Sequence, residues 1–146
     1  MITQPDGSDE VRQLFQENVP ELAKGVVEIK AIARERGHRS MLVVYSSDGS
    51  VDPVGSCVGE RGARVRSVVR QLSGETIDVI RWSDSQEELI RNILNPAVIR
   101  SVALDEASGR AIVRIVSKQS EDCELDPIRL KLASRVTGWD LQLLDA

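Results

Sequence analysis

Apolar and polar residues alternate along this chain with a period that changes every ten residues or so. Val11, Leu14 and Phe15 share one face of a helix running from Glu10 to about Val19, with Asp9 as its cap. Period two follows from Val26 to Arg34. Val27, Ile29, Ala31 and Ala33 lie on one side and Glu28, Lys30 and Arg34 on the other, the pattern of a half-buried strand. Arg36-Gly37-His38-Arg39 reads as a turn and Met41 to Ser46 as a second, more apolar strand, so the two form a hairpin. Asp48-Gly49-Ser50 and Asp52-Pro53 mark a loop, followed by a short apolar turn from Val54 to Val58. Helical spacing returns at Val65, Val68, Val69 and Leu72, and Gly74 stands where a left-handed C-cap glycine belongs. Thr76 to Trp82 is a strand. Ser85 with Glu88 forms a capping box for a helix through Leu89, Ile90, Ile93 and Leu94, which Asn95-Pro96 stops.

A second round then begins. Ser101 to Glu106 and Arg110 to Ser117 are strands joined by Ala107-Ser108-Gly109, and Asp126-Pro127 opens a helix with proline in its first turn. Leu132, Ala133 and Val136 face inward, Gly138 ends the helix, and Trp139 to Leu144 is a closing strand. The rounds match: Leu72-Ser73-Gly74 before Ile77-Asp78-Val79 parallels Val136-Thr137-Gly138 before Leu141-Gln142-Leu143. This is an internal duplication of a small α+β unit. The expected organisation is a flexible arm over 1–9, a first domain over 10–95 and a second over 96–146.

Composition narrows what such units can do. Phe15, Tyr45, Trp82 and Trp139 are the complete aromatic set of 146 residues, so the cores must be aliphatic. The net charge of −4 argues against a chain that coats nucleic acid indiscriminately, but charge acts through its distribution. Arg61, Arg64, Arg66 and Arg70 stand against Glu60 alone between Ser56 and Leu72, whereas acids crowd the end of the chain. Cys57 and Cys123, the only cysteines, with His38, the only histidine, make neither a disulfide framework nor a zinc ligand set. Reduced thiols in a cytoplasm, with Cys57 as a small core residue, are the expectation. His38 is expected in an exposed turn, and Trp82 and Trp139 in core packing rather than base stacking. The polar start MITQPDGSDE does not read as a signal peptide, and no apolar run approaches membrane-spanning length.

The element that carries chemistry is Gly59-Glu60-Arg61-Gly62, placed where a helix begins. The first amides of a helix have no internal partners, and its dipole makes that end electropositive. Glycines remove the side chains that would hold a phosphate away, and Arg61 and Arg64 add charge. The product is a cradle for a sugar-phosphate backbone. An isolated Gly-x-x-Gly is more often a simple tight turn. Here it follows a hairpin and a helical turn, and precedes a helix and a strand.

That order, with the runs VPELAKGVVEIKAIARERGHRS, VDPVGSCVGERGARVRSVVRQLSGETIDVIRWS and LASRVTGWDLQLLD, resembles the tandem KH region of the bacterial transcription elongation and termination factors of the NusA family. The resemblance covers roughly residues 10 to 146, and VDPVGSCVGERGARV is its most specific segment. It implies an α+β fold of two tandem type II (bacterial-type) KH domains, each a small three-stranded sheet packed on helices. It implies single-stranded RNA as partner, bound at Val58, Gly59, Glu60, Arg61, Gly62, Ala63 and Arg64. RNA polymerase or transcription factors are further implied partners, in regulation of transcription elongation, termination or antitermination in the cytoplasm. Full-length relatives also carry a polymerase-binding domain and an oligonucleotide-binding barrel, which this sequence does not include.

The second unit departs from the pattern. Between Gly109 and Gly138 there is no glycine, and the expected loop reads Cys123-Glu124-Leu125-Asp126-Pro127. Acids at a helix start satisfy the dipole themselves and repel phosphate, so this unit is expected not to bind RNA. An alternative role is a protein-interaction module, in which the acidic second unit docks a partner and RNA binding is vestigial. No residues form a catalytic constellation, so the expectation is a non-enzyme without cofactor, metal, small-molecule substrate or membrane partner.

Overall fold

A computed structural model describes residues 6–116 and 126–145. The chain separates into two compact units, and the division falls between Trp82 and Ser83.

In the first unit, α1 (Ser8–Asn18) and the short α2 (Pro20–Ala23) precede a hairpin of β1 (Glu28–Glu35) and β2 (Arg39–Tyr45). Then come α3 (Pro53–Val58), a 3-10 turn (Glu60–Gly62), α4 (Ala63–Gln71) and β3 (Thr76–Arg81). The sheet order is β1-β2-β3, with β1 antiparallel and β3 parallel to the central β2. A parallel return needs a crossover, and the α3–loop–α4 segment is that crossover. It is pinned to the sheet by Cys57, Val68 and Leu72, which join Val11, Phe15, Val19, Leu22, Val27, Leu42 and Val44 in one buried cluster.

The second unit repeats the plan. It runs α5 (Gln86–Leu94), β4 (Ile99–Asp105), β5 (Arg110–Ile115), α6 (Pro127–Thr137) and β6 (Asp140–Asp145), with sheet order β4-β5-β6. β4 is antiparallel and β6 parallel to β5. The duplication extends to register: Leu42 lies opposite Val79 as Val113 lies opposite Leu143. Two three-stranded sheets packed on helices are the α+β architecture expected.

Several sequence expectations change. The helix over Ser85–Leu94 was expected to close the first domain, but α5 packs on α6 and β4 and groups with the second unit, so the boundary lies at Trp82 rather than Asn95. Of the arm expected over 1–9, residues 1–5 lie outside the described residues, and residues 6–9 are folded. Asp6 Oδ1 accepts from the Ser8 amide at 3.0 Å, its Oδ2 accepts from the Arg34 amide at 3.0 Å, and α1 already starts at Ser8 behind Gly7, not behind Asp9.

The alternation in β1 breaks at Lys30, where the pairing with β2 shifts register between Ile29 and Ala31. An extra residue in one strand flips the phase of every side chain after it. Ile32 therefore joins Ile29 against the core, and Arg34, expected on the polar side, is only 4% exposed. There its guanidinium makes a two-pronged bond to Glu75, at 3.1 and 2.7 Å, and reaches Glu10 at 2.6 Å and the Gly7 carbonyl at 2.9 Å. The network ties α1, the hairpin and the end of α4 together. At that end Ser73, not Gly74, takes the first left-handed position (φ 57), and the Ser73 and Gly74 amides bond to the Arg70 and Val69 carbonyls at 3.1 and 2.9 Å. That is a Schellman cap with glycine one place later than expected.

Candidate nucleic-acid interface

Asp52 starts α3 by accepting from the Val54 amide at 3.1 Å, with Pro53 in the first turn and Cys57 buried beneath. Burial drives the Cys57 thiol up to about 12, which suits a core residue and no nucleophile. The helix ends at Val58, and the loop turns on two glycines. Gly59 has φ 78 and ψ 170, and Gly62 has φ 75 and ψ 16. Between them Arg61 is also left-handed (φ 55), and both it and Glu60 are exposed. Loop amides are partly consumed internally: Gly59 donates to Gly55 at 2.9 Å, Gly62 to Gly59 at 3.0 Å, and Ala63 to Glu60. Among the described residues, the Glu60 and Arg61 amides, flanked by the glycines, carry no such bond.

The structure brings Val58 through Arg64 together as one contiguous turn, but divides the arginines in a way the sequence did not announce. Arg64 does not reach outward. Its Nη1 sits on Glu21 of α2, at 3.0 and 3.2 Å, and on the Ser56 carbonyl at 2.7 Å. Burial tends to raise the Glu21 carboxyl, but its hydrogen bonds, including that from Arg64, outweigh this and hold it below its ordinary value. Arg64 is thereby a strut between α2 and the loop, and its stem packs against Gly59. A Cβ on Gly59 would lie 2.6 Å from Arg64 Cγ and 2.9 Å from the Arg64 backbone nitrogen.

Arg66 takes the outward role instead. Its Nη1 donates to the Arg61 carbonyl, and it lies 2.9 Å from where a Cβ on Gly62 would be, so the guanidinium is folded over the loop. Sequence reasoning left Arg66 out of the site. The signal was its spacing, since residues four apart in a helix share a face and Arg66 follows Gly62 by four. A groove of about 390 Å³ opens on the other flank of the loop, lined among others by Glu21, Asp52, Ser56, Glu60 and Arg64. Its carboxylates outnumber its one guanidinium, which is already paired, so anions are not drawn there.

The remaining singled-out residues sit apart from the loop. His38 is exposed in the β1–β2 turn, where its carbonyl accepts from Thr76 at 3.1 Å. Trp82 and Tyr45 are half-buried under Lys30, whose Nζ lies 5.7 and 5.0 Å from their ring centres. Trp139, also half-buried, donates to Gln86 at 3.1 Å. Of the acidic segment expected at the second unit's loop position, Cys123, Glu124 and Leu125 lie outside the described residues. Asp126 is described: it caps α6, its Oδ1 accepting from the Arg129 amide at 2.7 Å. Among the described residues there is no group of three or more His, Cys, Asp or Glu placed to hold a metal ion, and no helix long and apolar enough to cross a membrane.

Residues 6–82 match the family of the NusA-like first KH domain. The chain belongs to that NusA-like KH family. The match ends at Trp82, where the first compact unit ends. Transcription termination/antitermination protein NusA of Thermus thermophilus is 41% identical over 137 residues, covering 93% of this chain and 35% of the relative. The protein of the same name from Rickettsia prowazekii is 37% identical (90% and 27%), and that from Bacillus subtilis 36% (91% and 36%). This chain thus spans about a third of the length of these relatives. The crystal structure of APE1850 shares the fold, with a TM-score of 0.64 over 99% of this chain and 100% of that one at 20% identity. Both units have the KH type II plan: a hairpin, a helical crossover, then a strand parallel to the centre of the sheet.

Proposed function

We propose that this chain binds single-stranded RNA through the Gly59–Gly62 loop, and that it does so in control of transcription elongation, termination or antitermination. The observation that carries the reading is the loop itself. Two positive-φ glycines present the Glu60 and Arg61 amides at the start of α4, with the Arg61 and Arg66 side chains beside them. Amides of this kind, backed by a helix dipole, suit phosphate oxygens, and a KH loop clamps about four backbone nucleotides. The similarity to NusA proteins, named for termination and antitermination, supports the setting. On this reading the chain works in the cytoplasm, RNA is its first partner, the transcription machinery its second, and its role is binding rather than catalysis. In the second unit Asp126 occupies its own helix start, so the RNA-binding task falls to the first.

The test is a double substitution, Glu60→Asp with Arg61→Asp, which puts two short acids on the exposed loop. Single-stranded RNA binding should vanish while the circular dichroism spectrum stays native. Unchanged affinity with a native spectrum would refute the assignment.

A further inference from the structure

Helix α4 carries cations that the loop does not account for. Arg66 and Arg70 stand four residues apart on one face, about 6 Å along the axis. Arg61 starts the row, and Arg66 bridges to it by donating to its carbonyl. All three residues are exposed. None of the three guanidinium groups has an ion pair among the described residues, whereas Arg34, Arg39 and Arg64 each face a carboxylate. Like charges at this spacing work against a helix, so the row has no structural return inside the fold. It also lacks what a protein interface needs at its centre, an apolar anchor: the exposed large hydrophobic residues are Val26, Val98, Leu104 and Leu144, and α4 holds none of them. Exposed arginines on a helix that continues from a phosphate cradle suit a repeating polyanion, because each planar guanidinium fork can take two phosphate oxygens.

We propose that Arg61, Arg66 and Arg70 form a track along the outer face of α4 that carries the RNA backbone beyond the nucleotides held at the loop. The proposal rests on the loop reading above and extends its footprint. Arg70 is the residue that tests it, because it lies in the last turn of α4, eight residues past Gly62, and its exposed side chain makes no hydrogen bond or ion pair among the described residues.

The experiment titrates the full chain against fluorescein-labelled oligouridylates of about four and about twelve nucleotides by anisotropy, the shorter matching the span of one KH loop. Arg70→Gln should weaken the longer oligomer two- to fivefold, roughly the value of one exposed charge pair, and leave the shorter one unchanged. The slope of log affinity against log salt for the longer oligomer should become shallower by about 0.7, the loss of one single-strand phosphate contact. Arg70→Lys should restore that slope. Equal losses on both oligomers, or none on the longer, would overturn the track and leave the loop reading standing. Failure of the unsubstituted chain to bind either oligomer would overturn the loop reading and the track with it. Poly-glutamate competing as well as poly(U) at equal charge would overturn the assignment to RNA.

Discussion

Replacing Gly59 with alanine should damage this protein more than replacing Gly62, although both glycines have positive φ. At Gly62 the backbone is in the left-handed helical well (φ 75, ψ 16), and the only atom within 3.0 Å of an added Cβ is the far end of Arg66, which can swing away. The cost there is the left-handed penalty, about 1–2 kcal/mol. At Gly59 the pair φ 78, ψ 170 is a region that glycine alone occupies readily, with a strain of about 1–3 kcal/mol for other residues. An added Cβ would also strike Arg64 at Cγ (2.6 Å), which χ1 rotation can relocate, and at Cβ and the backbone nitrogen (both 2.9 Å), which do not move without moving the first turn of α4. Displacing Arg64 loosens its bond to the Ser56 carbonyl and its ion pair with Glu21, a pair about one-third exposed and worth about 1 kcal/mol after solvent screening. The sum is about 2–4 kcal/mol. For a unit the size of residues 6–82, at about 4–8 °C per kcal/mol, the melting temperature should fall by roughly 8–32 °C. Urea denaturation of the two variants side by side measures the difference. Equal stabilities for Gly59→Ala and Gly62→Ala would refute the packing of Arg64 against the loop.

Arg34→Met should cost about 3–5 kcal/mol, because it leaves Glu75 buried without its partner; urea titration reads this, and a loss under 1 kcal/mol would contradict the network. Burial raises the Glu75 carboxyl, but bonds from Arg34 and the Gly37 amide outweigh it and hold it below its ordinary value of 4.5. The unfolded chain therefore takes up protons first, so this stabilisation is complete above about pH 4.5 and is lost as pH falls below it. A melting series from pH 7 to pH 3 should show that decline in the native chain and a shallower one in Glu75→Gln. Asp126→Ala should destabilise the second unit by about 0.5–2 kcal/mol through loss of its cap, seen as earlier exchange of α6 amides with deuterium. The Cys57 thiol, buried and raised to about 12, should react with a disulfide reagent at pH 8 only after urea is added, in a Cys123→Ser background.

The fold was legible where one physical rule governed and opaque where two competed. Element order and duplication followed from hydrophobic period, because each strand or helix buries one face of aliphatic residues. The phase of β1 did not, because a bulge at Lys30 moved Ile32 inward and carried Arg34 with it. Pattern reading assumes that an arginine in a strand faces water, yet Arg34 is buried because Glu75, forty-one residues on, meets it there. The domain boundary was missed for a similar reason. The capping signal at Ser85 located the start of α5 correctly, its hydroxyl accepting from Glu88 at 3.2 Å, but a helix's allegiance is set by what its apolar face meets.

The candidate site shows the same limit at the scale of single side chains. Counting charge between Ser56 and Leu72 gives four arginines beside a phosphate-type loop and treats them as equivalent. Helix geometry makes them unequal. Arg64 lies a turn from Gly59 and faces α2, where Glu21 neutralises it and the Ser56 carbonyl holds its geometry. Arg66, two residues on, points elsewhere on the helix and folds over Gly62. On the proposed reading one cation shapes the cradle and the other meets the RNA, and the two roles should separate in experiment. Arg64→Gln should lower stability through its lost strut while the salt slope of RNA binding stays the same. Arg66→Gln should lower that slope by about 0.7 with a smaller loss of stability. The opposite pattern, a reduced slope for Arg64→Gln alone, would mean that Arg64 leaves Glu21 to reach phosphate and that the strut is broken in the bound state.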